Sequence, residues 1–220
     1  ITGECDLDDI VQVERVPEPP IMVAPTENIE AALDVLEGAE RPLVLVGKGM
    51  AWAHAEDEVR DFIDRTQIPF VRSPMGKGVI PDDHPLAASA ARTLALQQAD
   101  VVFLMGARFN WIFHFGLAPR FAPDVKVIQL DISPEEIGHN KPSEVALVGD
   151  GKAIVGQLNK ALENRQWFCP DDTPWKKAIA VKGVENAKMI QPMIEDESTP
   201  TNYYRALRDI SPWIPDDAII

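Results

Sequence analysis

Residues 101–111 read V-V-F-L-M-G-A-R-F-N-W, and the rest of the predicted fold is built around this segment. Five apolar residues run together and end at Gly106. Such a run is typical of a strand that is buried on both faces of a parallel sheet. Ligands of these sheets bind just beyond the carboxyl ends of the strands, where Arg108 and Asn110 stand. An ordinary turn with a surface arginine explains the same letters, so the stretch alone leaves both readings open.

Similar apolar runs recur along the chain and alternate with helical patterns. Further strands are predicted at Pro42–Val46, 69–71, 125–130 and Val145–Val148. Helices are predicted at 26–37, 56–65, 87–98 and 152–162. Thr26 is predicted to be the N-cap of the first helix. Ser133 is predicted to cap a further helix that begins at Pro134. Strands that alternate with helices at short spacing indicate an α/β fold with a parallel sheet and right-handed crossovers.

The two ends of the chain have a different character. Residues 1–25 are acidic and rich in proline, which predicts a linker or an extended arm. Residues 166–198 offer no strand and are predicted to form a helical linker. A helix is expected over 201–211, and a strand is expected to begin at Asp217. Since the chain starts at Ile1 rather than Met, we expect an internal piece of a longer protein.

Charge and composition exclude several classes of function. The formal net charge is −14, and residues 1–40 alone hold 11 acids and one base, which argues against a nucleic-acid partner. The sequence contains no run of about 18 apolar residues, so no membrane-spanning helix is predicted. The four histidines are scattered singly, so no metal site is expected. Cys5 and Cys169 are expected to be free thiols.

Four cations fall in predicted loops or helix starts that follow strands. Lys48 lies in G-K-G-M-A-W, which lacks the third glycine of a dinucleotide fingerprint, and Lys77 stands between two glycines. With Arg92 and Arg108 they predict a site for a polyanion, in which backbone N–H groups near Lys48 hold a phosphate. Alternatively, the glycines serve a tight turn and each cation pairs with a nearby acid.

Two aspartates follow predicted strands and are candidate ligand-binding residues, whereas no catalytic pair is found in the sequence. Asp131 ends a predicted strand and Asp150 lies between two glycines. Either carboxylate can accept hydrogen bonds from a ribose, and Asp150 can alternatively accept from an adenine amino group. Helix capping is the alternative role for both aspartates. No Ser–His or Cys–His pair stands at a recognisable spacing, and no catalytic residue is assigned.

Four segments together carry a resemblance to a family. They are R-S-P-M-G-K-G-V-I-P-D-D-H-P, A-A-R-T-L-A, G-A-R-F-N-W-I-F-H-F-G and L-D-I-S-P-E-E-I-G-H-N. The chain resembles the central domain of thiamine-diphosphate-dependent enzymes over residues 26–162. Asn110 and Trp111, where the flavin-binding acetolactate synthase branch has an acidic pair, are more similar to the oxalyl-CoA decarboxylase and 2-hydroxyacyl-CoA lyase group.

The resemblance implies a Rossmann-like fold with six parallel strands and helices on both faces. It implies a linker over 1–25 from a pyrimidine-binding domain, a nucleotide-binding domain over 26–165, a helical linker over 166–198 and the start of a pyrophosphate-binding domain over 199–220. It also implies a carbon–carbon lyase or decarboxylase that acts on 2-hydroxyacyl-CoA or oxalyl-CoA. The full-length enzyme would be an intracellular dimer or tetramer, cytoplasmic or peroxisomal.

The resemblance further assigns roles to residues of this chain. An ADP site would be lined by Lys48, Arg92, Arg108, Asp131, Ile132 and Asp150. The CoA of the substrate would face Ser73, Pro74, Met75, Gly76 and Lys77. Thiamine diphosphate and Mg²⁺ would bind in the neighbouring domains, so this chain is not expected to catalyse alone. An FAD-binding domain, an NAD-binding domain and a non-catalytic spacer are the alternatives.

Overall fold

The structure, a computed structural model, describes residues 3–4, 6, 8, 10–11, 13–215 and 218. Cys5 and most of the strand expected from Asp217 onward lie outside these residues. The strands are β1 (Pro42–Val46), β2 (Phe70–Arg72), β3 (Val101–Met105), β4 (Lys126–Asp131) and β5 (Val145–Val148). The helices are α1 (Thr26–Glu37), α2 (Lys48–Trp52), α3 (Glu56–Thr66), α4 (Arg92–Gln98), α5 (Gly151–Leu162), α6 (Pro174–Glu195) and α7 (Tyr203–Ile210).

The strands form one parallel sheet in the order β2-β1-β3-β4-β5. Val46 at the end of β1 is in register with Arg72 of β2 and with Met105 of β3. From β1 the chain moves outward to β2 and then returns to build β3, β4 and β5 on the other side. The connections that leave β1 and β3 therefore diverge, which opens a crevice at the carboxyl ends of these two strands.

Helices cover both faces of the sheet, as the continuous apolar runs predict. Val44, Phe103 and Leu130 face a core built with α1, α3 and α5, whereas Leu43 and Leu104 face a second core that includes α4 and Trp175. The whole of β1 and β3 is buried, since successive residues point to opposite faces that are both covered. The α/β class is confirmed.

The resemblance is wrong in one respect, since the sheet has five strands in the described part of the chain and not six. The segment around Ala87 lies beside β2 but forms a single parallel bridge with Phe70. It cannot extend into a strand because Pro85 has no N–H to donate and because the chain turns into a 3-10 helix at Ser89–Ala91.

The predicted helix starts agree less closely with the structure than the predicted strand bounds do. Thr26 is not the N-cap of α1, since the helix already includes Thr26, Pro25 holds the N-cap position and no side chain caps it. Ser133 caps no helix, since only a 3-10 turn over Pro134–Glu136 follows and its side chain accepts no capping bond. The helix expected over 87–98 is shortened to α4 by the 3-10 turn before it.

Helix α6 attaches the C-terminal part of the chain to the domain. Trp175 is buried at its start, and the indole Nε1 donates to the carbonyl oxygen of Pro42 at 2.9 Å. Cys169 is a buried free thiol just before this helix. Among the described residues, no helix combines the length and the apolar character that a bilayer crossing requires.

Candidate functional site

A pocket of about 700 Å³ occupies the crevice between the ends of β1 and β3. Its volume lies within the range of typical small-molecule sites. The connections after all five strands line it, and the lining includes Gly47, Lys48, Ser73, Met75, Gly106, Arg108, Asn110, Asp131, Ile132 and Asp150. The structure thus brings five of the six residues assigned to ADP into one cavity and adds two of the five assigned to CoA.

The glycines after β1 serve a close approach between two backbones. A Cβ on Gly47 would lie 2.2 Å from the carbonyl oxygen of Gly106, and a Cβ on Gly49 would lie 2.8 Å from the Cα of Gly106. The N–H of Gly47 donates to Met105 and that of Gly49 to Gly106. These two amides are therefore not free for a phosphate, and the two glycines allow the close approach of the backbones after β1 and β3.

Two cationic side chains stand at the pocket without strong partners. The Nζ of Lys48 lies 5.1 Å from the centroid of the Trp52 ring, and no carboxylate pairs with it within the described part of the chain. Arg108 pairs with Glu136 at 3.3 Å, but its side chain is 56% exposed, so this pair holds it weakly. Both cations can turn to an anion in the pocket.

Two carboxylates line the same pocket, one at the end of β4 and one just after β5. Asp131 ends β4 and is buried, and one of its oxygens accepts from the N–H of Ser133 at 2.9 Å. Asp150 precedes α5, where one oxygen accepts from the N–H of Ala153 at 2.8 Å. Each therefore caps a turn with one oxygen and keeps the other for a ligand, so capping and ligand binding are compatible.

Substitution of Asp150 separates these two roles. We expect Asp150→Ala to lower the free energy of unfolding by about 1 kcal/mol, because the cap of α5 is lost. Asp150→Asn keeps an oxygen acceptor and should stay within about 0.5 kcal/mol of the parent protein. If the free oxygen binds a ribose, the affinity for ADP falls in both variants. Urea melts and ADP titrations check this, and an Asp150→Ala variant as stable as the parent protein would show that the side chain does not stabilise α5 as a cap.

Of the five residues assigned to CoA, two line the pocket and three lie next to it in the same loop. Ser73 and Met75 line the pocket, and Pro74 opens a 3-10 turn whose N-cap is Ser73. Gly76 is buried, and a Cβ there would lie 2.4 Å from the carbonyl oxygen of Val46. Lys77 lies farther along and pairs with Asp82 at 3.6 Å.

The loop after β3 supplies lining residues that the sequence did not reveal. Ile112 and Phe113 line the pocket, and two residues just beyond them, His114 and Phe115, have positive φ angles of 49° and 56°. Residues other than glycine rarely adopt this backbone conformation, which persists only where surrounding contacts impose it. Nothing in the letters W-I-F-H-F-G signals it, since the only glycine comes at the end.

Arg92 is one of the contacts that hold this loop. It is not a lining residue of the pocket; its Nη2 donates to the carbonyl oxygen of Ile112 at 2.7 Å, and its guanidinium carbon lies 5.4 Å from the centroid of the Phe113 ring. On the other side, Asn140 donates to the carbonyl oxygen of Phe109 at 2.8 Å. The loop is therefore fixed at both of its sides.

The lining of the pocket contains the kinds of group that nucleotide sites use. Cations, carboxylates with unused oxygens and apolar side chains such as Met50 and Ile132 match the phosphate, ribose and base of such a ligand. Within residues 13–215 and the other described positions, no group of three histidine, cysteine or acidic side chains could hold a metal ion.

Comparison with known proteins places the chain in a family. Residues 29–158 match the family model described as thiamine pyrophosphate enzyme, central domain. The chain is 41% identical over 220 residues to 2-hydroxyacyl-CoA lyase 1 of Mus musculus, covering 100% of this chain and 38% of the mouse protein. It is 38% identical over 201 residues to the oxalyl-CoA decarboxylase of Escherichia coli K12, covering 91% of this chain and 35% of that protein.

The chain thus spans little more than a third of the length of these relatives. The family match covers more than half of the chain and includes all five strands. This chain therefore belongs to the thiamine pyrophosphate enzyme family and carries its central domain.

Proposed function

We propose that this chain is the nucleotide-binding part of a thiamine-diphosphate-dependent lyase or decarboxylase that cleaves a carbon–carbon bond next to a CoA thioester. The pocket at the β1–β3 switch point is the observation that carries the proposal. In this account ADP binds in the pocket, with its phosphates near Lys48 and Arg108 and its ribose near Asp131 or Asp150. Ile132 borders the base, and Arg92 takes part through the loop that it supports.

The CoA of the substrate would pass along residues 73–77 at the edge of the same pocket. Ser73 and Met75 can contact it directly, because both line the cavity. Gly76 keeps the turn close to β1, and Lys77 can leave its 3.6 Å pair with Asp82 for a phosphate. The names of the relatives, which include oxalyl-CoA and 2-hydroxyacyl-CoA, support CoA as the substrate class.

Thiamine diphosphate supplies an electron sink for bond cleavage when it is bound. We propose that it binds with Mg²⁺ in the neighbouring domains of a homo-oligomer, in the cytoplasm or a peroxisome. The role of this chain is then to bind and orient a nucleotide. The division into 1–25, 26–165, 166–198 and 199–220 stays part of the proposal.

Thermal melting with ADP, CoA, FAD or thiamine diphosphate–Mg²⁺, each in excess, tests the proposal. A ligand at about 100 times its dissociation constant adds roughly 2.7 kcal/mol to the free energy of unfolding. We expect stabilisation by ADP and CoA. Stabilisation by FAD alone would favour the flavin alternative, and no shift with any ligand would favour a spacer domain.

A further inference from the structure

The charged side chains of the pocket are sorted by the strands that they follow. Lys48 comes just after β1 and Arg108 just after β3, and these two strands are neighbours in the sheet. Asp131 is the last residue of β4, and Asp150 comes just after β5, the strand beside it. The cations and the carboxylates of the pocket therefore belong to two different pairs of adjacent strands.

Backbone hydrogen bonds fix both aspartates at the edge of the sheet. Asp131 is in register with Val148 of β5, and its carbonyl oxygen accepts from the N–H of Gly149 at 3.1 Å. Asp150 follows directly, and its own N–H donates to the carbonyl oxygen of Met22 at 2.9 Å. The positions of the two residues are therefore set before any ligand binds.

Neither carboxylate has a cation beside it. Among the residues that the structure describes, no lysine, arginine or histidine nitrogen lies within 4.0 Å of Asp131 or Asp150. Lys152, in the first turn of α5, pairs instead with Glu58 at 3.5 Å. Each of the two carboxylates accepts one backbone N–H and keeps its second oxygen without a partner in the described part of the chain. Such an oxygen attracts a hydroxyl donor and repels a second anion.

We propose that Asp131 and Asp150 make the pocket selective for nucleotides whose ribose hydroxyls carry no phosphate. The selectivity rests on the proposed function, in which the 5′-phosphates lie near Lys48 and Arg108 and the ribose lies near the carboxylates. A free ribose donates its hydroxyl hydrogens to these carboxylates, whereas a 2′- or 3′-phosphate places a like charge against them with no cation to balance it. The nucleotide of CoA carries a 3′-phosphate, so it is excluded from the pocket and has to lie outside it, where residues 73–77 stand.

Three nucleotides that differ only at the ribose test this selectivity. AMP, adenosine 2′,5′-bisphosphate and adenosine 3′,5′-bisphosphate share the base and the 5′-phosphate, and each is titrated by calorimetry into the parent protein. The titrations are repeated with Asp131→Asn and with Asp150→Asn, which keep an oxygen for the capped N–H and lose the charge. Asp196→Asn is the matched control, because Asp196 also accepts from the N–H two residues on, at 2.9 Å, and lines no part of the pocket.

We expect the parent protein to bind AMP about tenfold or more tightly than either bisphosphate, because like charges across a contact are costly. Asp131→Asn and Asp150→Asn should each lower this ratio by about threefold, while Asp196→Asn leaves it unchanged. A purely structural role of the two carboxylates would weaken all three nucleotides alike. Equal affinities in the parent protein would overturn the selectivity alone, and so would a ratio that both pocket variants retain. If neither AMP nor ADP binds, the proposed function fails and the selectivity fails with it.

Discussion

Gly47→Ala is expected to destabilise the protein by about 3 kcal/mol, near the upper end for overpacking of a well-packed region. The new Cβ would lie 2.2 Å from the carbonyl oxygen of Gly106 and 2.5 Å from the Cβ of Ala107. Neither atom is the end of a flexible side chain, so the crevice must open. The φ of Gly47 is −109°, which any residue can adopt, so the effect is one of space alone.

Gly156→Ala is the control for this substitution. A Cβ built on Gly156, inside α5, has no atom within 4 Å other than those of its chain neighbours and of the helix's own backbone. Alanine should stabilise the helix there by up to about 1 kcal/mol. Urea unfolding compares the two variants with the parent protein. Equal stability of Gly47→Ala and the parent would contradict the close approach of the two backbones and with it the shape of the pocket.

Arg108→Gln is expected to weaken ADP binding by about tenfold or more, because a charge-assisted hydrogen bond to a phosphate is lost. The free energy of unfolding should change by less than about 1 kcal/mol, since the pair with Glu136 is exposed. Lys48→Gln should weaken ADP binding in the same direction. Calorimetric titration measures the affinity, and urea melts measure the stability.

The control for Arg108→Gln is Arg15→Gln, which removes an exposed charge from another arginine with one acidic partner. Arg15 belongs to the acidic arm of residues 1–25 and lines no part of the pocket. Its loss should leave the ADP affinity unchanged. A tenfold loss in Arg15→Gln as well would indicate a general electrostatic effect, and the specific role of Arg108 would be wrong.

The sequence predicts the strands well because their signal is local. The runs at Pro42–Val46, Val101–Met105 and Val145–Val148 are found with the predicted bounds, since continuous burial on two faces leaves an unbroken apolar run. The inward residues of α1 and α3 follow the helical period for the same reason. Helix caps depend on the local geometry of a few atoms, and for this reason Thr26 and Ser133 do not act as predicted.

The sequence predicts only part of the candidate site. The order of the strands in the sheet decides which loops meet, and this order is not visible in the sequence. The sequence indicates that Lys48, Arg108, Asp131 and Asp150 follow strands, and the switch point places them in one pocket. It does not reveal that Arg92 supports a loop from behind. Nor does it reveal the positive φ angles at His114 and Phe115, which tertiary contacts impose.

The position of bound ADP can be read from the amide NMR spectrum of the labelled protein during an ADP titration. If the pocket binds ADP, we expect saturable shifts concentrated at Lys48, Gly49, Arg108, Asp131 and Gly151, which surround the β1–β3 crevice. Shifts confined to α6 and α7, or no shifts at millimolar ADP, would contradict the claim that this pocket binds a nucleotide.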